Sequence, residues 1–308
     1  MKYVCKRILM LLVTMVIVSL LAFAAFELIH GSAAEIMLGT QATPERVAEL
    51  EAELGLDRPF AVRYLEWLAG FFTGDLGISY SYSQPVWELI APKVGITLCL
   101  SLLSFALIAV VSIPLGLWAS RGHSRVGDAV GTVLDQLCMA VPPFFTGILF
   151  TYLFGLVLHL FIAGAFPAGG VGHYIGYLFF PALAVALPRI AMTVKLLRTS
   201  ILDEAQRDYV RTSMSRGRSR SGILYRHVLK NTLVPVLTFL AMTVADLLAG
   251  SVVIEQVFAV PGLGRLLLTS IEGRDEPVAR AIVVLLAFAV ILCNLLADLL
   301  ARRIDPRL

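Results

Sequence analysis

The chain has 308 residues, of which 58% are hydrophobic and 15% are charged, whereas soluble domains carry about 25% charged residues. The mean hydropathy is +0.84. These values exclude an ordinary soluble enzyme and indicate a protein that crosses a membrane several times. The formal net charge of +3 is small, so the positions of the charges are more informative than their sum, and nothing indicates a nucleic-acid partner.

Six apolar blocks reach the roughly 20 residues that a membrane-spanning helix needs. They are 8–29, 96–118, 130–158, 177–194, 232–254 and 278–301. The first could be a cleaved signal peptide, because basic residues precede it and alanines end it, but its 22 residues exceed the usual apolar core of about 7–15. We therefore predict a retained anchor and an all-α membrane protein with six transmembrane helices.

Basic residues alternate between the segments that join these blocks. They collect at the N-terminus, in the loop 119–129, in the stretch 195–230 and at the C-terminus, and the stretch 195–230 holds nine basic and three acidic residues. By contrast, 29–93 holds four basic and nine acidic residues. Since Lys and Arg favour cytoplasmic loops, both termini are predicted to be cytoplasmic.

The first outer segment has the pattern of two short helices. Thr43 can cap the first, with Pro44 in its opening turn and Gly55 just past its end. A second helix is predicted after Pro59, with one apolar face consisting of Phe60, Tyr64, Trp67, Leu68 and Phe71. This face could lie on the outer membrane surface, against the helix bundle, or simply pack beneath the loop.

Prolines and charges interrupt the spans. Pro142 and Pro143 lie in the third block and Pro188 in the fourth, and each is expected to kink its helix. Such kinks suit a transport pathway but occur in any membrane bundle. Asp246 lies in the middle of the fifth block, where a carboxylate needs a partner or a cavity. It could face a substrate pathway, cap a kink or pair with a partner subunit.

Other charges near the spans have simpler explanations. Arg189 is predicted to extend towards the cytoplasmic surface, whereas Glu27 and His30 are predicted to lie at the outer interface.

The sequence lacks the usual catalytic motifs. It has no GxxxxGK[ST], HExxH, GxSxG or GxGxxG, and its four cysteines form no CxxC pair that would indicate a zinc site or disulfide. The chain is therefore predicted not to be an enzyme. If it transports a solute uphill, the energy comes from an ion gradient or from another chain. Besides a permease driven by another chain, the alternatives are a stand-alone ion-coupled carrier and a scaffold without transport.

The basic stretch 195–230 helps to distinguish between these two energy sources. Residues 203–216 can form a short helix with Tyr209, Val210 and Met214 on one side, and Gly217 can end it at positive φ. The stretch could be a solvated run of charge, but a short amphipathic helix between two spans is typical of a docking element.

The residues of this stretch are similar to the coupling loop of ABC importer permeases. Asp208-Tyr209-Val210-Arg211-Thr212, Gly217 and Arg226-His227-Val228-Leu229-Lys230-Asn231 resemble the dipeptide, oligopeptide and nickel branch. Arg211-Thr212-Ser213 occupies the family's EAA position, and 227–230 its IxLP position. The EAA letters and the final Pro are absent, as in that branch.

Further stretches match the branch in order and spacing along most of the chain. They are Gly55-Leu56-Asp57-Arg58-Pro59, Gly74-Asp75-Leu76-Gly77-Ile78-Ser79, Ile113-Pro114-Leu115-Gly116, 142–144, Pro261-Gly262-Leu263-Gly264-Arg265, Arg274-Asp275 and Asp305-Pro306-Arg307. One departure is Gly31-Ser32-Ala33, where the branch usually has Gly-Asp-Pro.

The resemblance implies a type I importer permease fold in an inner membrane. It implies an anchor at 1–30, an extracytoplasmic loop at 31–94, a core at 95–302 containing the coupling loop at about 203–230, and a cytoplasmic tail at 303–308. It also implies a second permease, two ATPase subunits that bind ATP and Mg, and an extracytoplasmic binding protein. The residues expected to contact an ATPase are Tyr209, Val210, Arg211, Thr212, Ser213, Met214, Gly217 and His227.

The cargo is left open between peptides and nickel, free or chelated. Nickel-type members share an acid near the position of Asp246 and a short loop between the third and fourth spans. However, a bare metal site requires clustered His, Cys or carboxylate ligands, and none is visible in the spans. Asp246, Pro142 and Pro143 are the candidate residues of the substrate pathway.

Overall fold

The computed structural model describes residues 2–27, 33–121, 125–162, 164–167 and 171–304. His30, Gly31-Ser32, His123 and Asp305-Pro306-Arg307, on which some of the predictions rest, lie outside these ranges. Within them the chain is helical, apart from loops and one isolated antiparallel bridge between Ile78 and Pro85.

Thirteen α-helices occur in the described residues. In chain order they are α1 (Lys2–Glu27), α2 (Ala33–Leu38), α3 (Pro44–Glu53), α4 (Phe60–Thr73), α5 (Val86–Ala119), α6 (Arg125–Ala140), α7 (Pro143–Phe150), α8 (Val171–Glu204), α9 (Asp208–Ser215), α10 (Arg220–Ile223), α11 (Leu229–Val257), α12 (Leu263–Glu272) and α13 (Glu276–Ile304). A 3₁₀ turn covers Gly39–Gln41, and π-helical segments cover Thr151–Val157 and Leu224–Val228.

Five helical stretches among the described residues are long and apolar enough to cross a membrane. They are Lys6–Glu27, Val86–Ala119, Gly172–Glu204, Leu224–Val257 and Glu276–Arg302. They contain five of the six predicted blocks, except that the last two residues of the first block lie outside the described ranges. The helix containing Pro188 continues through that proline and through Pro181.

The third predicted block differs from the expected single span with an internal kink. Val126–Ala140 and Pro143–Val157 meet at an angle of 98°, and Pro142 between them has extended backbone (φ −61°, ψ 143°). The physical reason is the proline pair, because Pro143 disfavours helical backbone at the residue before it and is itself suited to the first turn of a new helix. The spans number six only if this bent pair counts as one.

The chain divides into two compact units. The first comprises Met1–Thr97 and Pro261–Leu292, and the second Leu98–Val260 and Cys293–Leu308. In the first unit, the core contains Val86, Ile90, Val278, Ala281 and Ile282, each fully buried.

Helices α3 and α4 of the first unit follow the sequence prediction. The Thr43 side chain accepts a hydrogen bond from the Arg46 amide, Pro44 is the first residue of α3, and Gly55 has φ +67°. The aromatic face of α4 packs on α1, where the Phe23 ring lies 5.2 Å from that of Phe60, and 5.6 Å from that of Tyr64. Of the alternatives left open by the sequence, packing against a long helix is therefore observed.

Asp275 joins two of the stretches on which the resemblance rests. Its carboxylate is fully buried and accepts hydrogen bonds from the Ser79 hydroxyl and from the amides of Tyr80 (3.1 Å) and Ser81 (3.2 Å). Burial is the main reason that the pKa of the Tyr80 phenol is raised above its ordinary value. This buried carboxylate fixes the loop before α5 against the turn before α13.

In the second unit, α8 packs against α6, α7 and α11. Close approach depends on small residues, since a Cβ added to Gly116 would lie 2.8 Å from the Leu197 side chain, and one added to Gly147 would lie 3.1 Å from Phe258. The Tyr177 hydroxyl donates to the Phe258 carbonyl oxygen at 2.7 Å.

Candidate functional site

The predicted coupling helix is shorter than the expected 203–216. Helix α8 ends at Glu204, a turn follows, and α9 covers Asp208–Ser215. The break occurs at Arg207, whose extended backbone (ψ 149°) precedes the first turn of α9. Asp208 lies in that first turn, where a negative charge is favourable beside the free amides of a helix.

Gly217 ends α9 as predicted, with φ +77°. Its amide donates to the Met214 carbonyl at 2.9 Å, and the Arg218 amide donates to the Ser213 carbonyl at 3.4 Å. These two bonds form a Schellman motif, which requires a left-handed residue at this position and therefore favours glycine. No atom other than its immediate neighbours lies within 4 Å of a Cβ added at Gly217, so the requirement is one of backbone conformation.

Glu204 connects α9 to both flanking helices. Its Oε1 accepts hydrogen bonds from the Tyr209 hydroxyl (3.0 Å) and from the Asn231 amide (2.9 Å), and its Oε2 lies 3.0 Å from Arg207 Nε. One carboxylate thus links the end of α8, the start of α9 and the start of α11. We call Glu204, Tyr209 and Asn231 the helix latch.

The sequence did not indicate this role for Glu204 or Asn231. In the sequence, Glu204 is one acidic residue of a basic stretch, and Asn231 is one position of the resemblance. The one usable signal was the i, i+5 spacing of Glu204 and Tyr209 on either side of a turn. Burial, and then the hydrogen bond to Glu204, raise the pKa of the Tyr209 phenol above its ordinary value, so the hydroxyl stays protonated and able to donate.

Val210 anchors the opposite side of α9. It is 2% exposed and, with Met214, lines a cavity of about 430 Å³ whose other walls include Ile201, Ile223 and Val228. Tyr209 does not line this cavity, so the three residues predicted to share one side divide between the cavity and the helix latch.

The outward face of α9 is polar. Arg211, Thr212 and Ser215 are exposed and Ser213 is half-buried. The Thr212 and Ser213 hydroxyls donate to carbonyls one turn earlier, at 2.9 Å and 2.8 Å. The Arg211 guanidinium has five donor groups suited to carboxylates or carbonyls of another protein.

His227 lies beside the turn that ends α9. Arg218 Nη1 is 2.8 Å from His227 Nε2, and because a guanidinium only donates, the imidazole nitrogen accepts. Nearby, Arg121 donates to the Tyr225 hydroxyl and stacks over its ring at 5.9 Å. These contacts connect the turn and the loop after α5 to the π-helical segment Leu224–Val228.

Arg189 of α8 and Asp246 of α11 form an ion pair. Arg189 Nη2 lies 2.9 Å from Asp246 Oδ2, which links the middle of α8 to the middle of α11. The sequence predicts that Arg189 extends towards the cytoplasmic surface and does not predict this mid-span partner. Glu27, predicted to be interfacial, pairs with Arg63 of α4.

The other candidate pathway residues lie at the bend between α6 and α7. Pro142 and Pro143 end one helix and begin the next, and no described contact joins them to the Arg189–Asp246 pair. Three free cysteines, Cys99, Cys138 and Cys293, are half-buried. No cluster of three or more His, Cys, Asp or Glu residues that could hold a metal ion occurs in the part of the chain that the structure describes.

The sequence matches the family described as binding-protein-dependent transport system inner membrane component over residues 112–308. It also matches the N-terminal model of the corresponding membrane components over residues 1–101.

Individual proteins give the same picture. A peptide transport system permease protein of Brucella abortus is 37% identical, with 99% of this chain and 98% of the relative covered. The dipeptide transport system permease protein of Escherichia coli K12 is 32% identical, with 100% and 98% covered. The inward-facing MetNI methionine ABC transporter superposes with a TM-score of 0.57 at 16% identity, over 71% of this chain and 97% of that chain, a likeness of fold alone.

Proposed function

The chain belongs to the binding-protein-dependent transport system inner membrane components and is a permease subunit of an ABC importer of the dipeptide/oligopeptide branch, and we propose that α9 is the element through which ATPase subunits drive it. On this proposal α9 sits in a groove of one ATPase, and closure of the ATPase pair on ATP moves α8 and α11. The ATP and Mg are bound by those partners, so this chain needs no catalytic residue.

The helix latch is the observation that carries the proposal. A docking helix can move a span only if it is held to that span, and Glu204 bonds Tyr209 of α9 within 3.0 Å and Asn231 of α11 within 2.9 Å. Val210 adds a buried apolar anchor. A force applied to α9 is therefore transmitted to two long helices through short contacts.

The residues available to contact the ATPase are those of α9 that belong neither to the helix latch nor to the buried side of the cavity. We propose that Arg211, Thr212 and Ser213 contact the groove directly, with Met214 at its edge. Tyr209, Val210, Gly217 and His227 act by fixing the helix and its terminal turn. This division refines the expectation that all eight residues touch the ATPase.

The wider arrangement follows from family membership and from the charge pattern. We propose six passes through a bacterial inner membrane with both termini cytoplasmic, a second related permease, two ATPase subunits and an extracytoplasmic binding protein. The anchor at 1–30, outer loop at 31–94, core at 95–302 and tail at 303–308 are part of this proposal, with the bent pair α6–α7 taken as one pass.

Peptides are the proposed cargo. The relatives from Brucella abortus and Escherichia coli are named for peptide and dipeptide transport. The Asp246 carboxylate, which could have favoured nickel, is engaged by Arg189, and a guanidinium at 2.9 Å competes with a metal cation for the same oxygen. A metal ligand role is therefore less favourable than the sequence indicated.

Reconstitution tests the energy source. Proteoliposomes containing this chain, the second permease and the two ATPases, supplied with binding protein and a labelled dipeptide, should accumulate peptide only with hydrolysable ATP. A non-hydrolysable analogue and a proton or sodium gradient alone should give background uptake. Gradient-driven uptake by this chain without an ATPase would instead establish the ion-coupled carrier.

A further inference from the structure

The Arg189–Asp246 ion pair lies on the surface of the single chain, although both residues are near the midpoints of apolar spans. The nitrogen–oxygen distance is 2.9 Å, and the side chains are 31% and 52% exposed. The exposure is thus greater on the carboxylate, which is the outer member of the pair. Arg189 also lies 3.9 Å from the Met192 sulfur.

Lipid is an unsuitable environment for this pair. Charged groups at mid-membrane depth normally face a bundle interior or a water-filled cavity. An ion pair that is partly open to hydrocarbon loses hydration without gaining the further hydrogen bonds that offset the loss. The face of α8 and α11 that carries the pair is therefore expected to meet water or polar groups in the assembled transporter.

Helix α11 presents a continuous exposed stripe around Asp246. Its exposed members recur at three- and four-residue spacing along the helix and are Met242, Asp246, Ala249, Val253 and Gln256. The flanking positions Ala245, Leu247 and Leu248 are buried in the unit. One face of α11 is thus left open along the C-terminal half of the helix, and this face carries the Asp246 carboxylate.

We infer that this stripe lines the aqueous translocation pathway and that Arg189 and Asp246 form a site for the two charged ends of a zwitterionic peptide. The inference rests on the proposed function, because it takes peptides as the cargo. The Asp246 carboxylate binds the peptide ammonium, and the Arg189 guanidinium binds the peptide carboxylate with two parallel hydrogen bonds.

The charge balance favours an exchange of partners. With no substrate the two side chains neutralise each other. With a zwitterionic peptide each side chain gains a new partner of opposite sign, so the site is neutral in both states and no charge is left uncompensated. A peptide blocked at one end leaves one side chain unpaired when it enters and is therefore disfavoured.

Uptake of blocked peptides tests the assignment of each end. In the reconstituted complex, Asp246→Asn should lower uptake of a free dipeptide about tenfold while changing uptake of its N-acetylated form little. Arg189→Gln should likewise lower uptake of the free dipeptide about tenfold while changing uptake of its C-amidated form little. Because the binding protein is unaltered, its own preference cancels in the ratio of variant to wild type.

Asp128→Asn is the matched control, since it breaks another Arg–Asp pair of this unit, Arg198–Asp128, also at 2.9 Å. This variant should change uptake of the free, the N-acetylated and the C-amidated dipeptide by the same factor. If Asp246→Asn and Arg189→Gln also lower uptake of all three peptides by the same factor, the pair is only structural and the inference is overturned.

A labelling measurement tests the aqueous setting without relying on transport. The Asp246→Cys variant should react with a membrane-impermeant, charged thiosulfonate above the wild-type background. Val110→Cys, at a 70% exposed apolar position of α5, should not. Absence of reaction at position 246 overturns the inference. Absence of ATP-driven uptake by the wild-type complex would instead overturn the proposed function, so the two failures are distinguishable.

Discussion

Gly217 holds a backbone conformation that other residues adopt at a cost. Its φ of +77° lies in the left-handed region, which disfavours an ordinary L residue by about 1–2 kcal/mol, and β-branched side chains are the least tolerant. Since no neighbouring atom would meet an added Cβ, a substitution acts on the turn and not through a steric clash.

Gly217→Val should therefore uncouple the permease while leaving its membrane insertion unchanged. We expect the variant to be present at wild-type abundance but to take up peptide about 5–30 times more slowly, the factor that corresponds to one or two kcal/mol. Gly217→Asn is the control, because asparagine tolerates positive φ, and it should retain most of the uptake. Wild-type uptake by Gly217→Val would show that the Schellman turn is not needed.

Features that depend on neighbours in the sequence could be predicted. The positive φ of Gly217 and the Thr43 cap follow from local backbone geometry. The Glu204–Asn231 and Arg189–Asp246 contacts depend on how two helices align when they pack, and no local pattern encodes that alignment. The sequence predicts the cytoplasmic surface for Arg189 because no pattern in it indicates that α8 brings this residue level with Asp246.

At the scale of elements, α9 is held between α8 and α11 by contacts of different kinds. On one side the Glu204 carboxylate binds Tyr209 and Asn231, and on the other Val210 is buried. The first set is specific in distance and direction, whereas the second gives apolar burial. We expect the first to decide how well movement of α9 reaches the spans.

Tyr209→Phe and Glu204→Gln should each raise the number of ATP molecules hydrolysed per peptide transported by about two- to fivefold. The reason is that each substitution weakens a half-exposed hydrogen bond that contributes about 1 kcal/mol. The double variant should be no worse than the more affected single one, since both remove the same link. Tyr225→Phe removes a hydroxyl that binds Arg121 and should leave the ratio unchanged. Additive effects would mean that the two residues act separately.

The third span shows where a hydropathy pattern is insufficient. The block 130–158 is apolar enough to be one helix, yet two helices meet there at 98°. Hydropathy reports burial along the chain and carries no information about direction. The adjacent prolines Pro142 and Pro143 were the available signal, and their backbone preferences predict a helix end more directly than a kink. The break between α8 and α9 at Ala205–Arg207 depends instead on contacts made by Glu204 and Val210. Such contacts cannot be predicted from the neighbouring residues in the sequence.

At the scale of the whole molecule, the chain contributes a path and a point of attachment. The family match covers most of its length, and the spans are helical. On the proposed function, its mechanical link to other subunits is concentrated in α9 and the helix latch. The proposed division of labour places ATP hydrolysis in partner chains and leaves this chain with conformational work. It requires α9 to lie against an ATPase and to stay there through the cycle.

Cross-linking from α9 tests that requirement most directly. In the complete complex, a short photoreactive label on the Thr212→Cys variant should form an adduct with an ATPase subunit, and its yield should change between nucleotide-free and ATP-bound states. A label on Thr132→Cys, an exposed threonine of α6, should give no such nucleotide-dependent adduct. Failure of the Thr212→Cys label to reach an ATPase, in a complex that still hydrolyses ATP and imports peptide, would contradict the account.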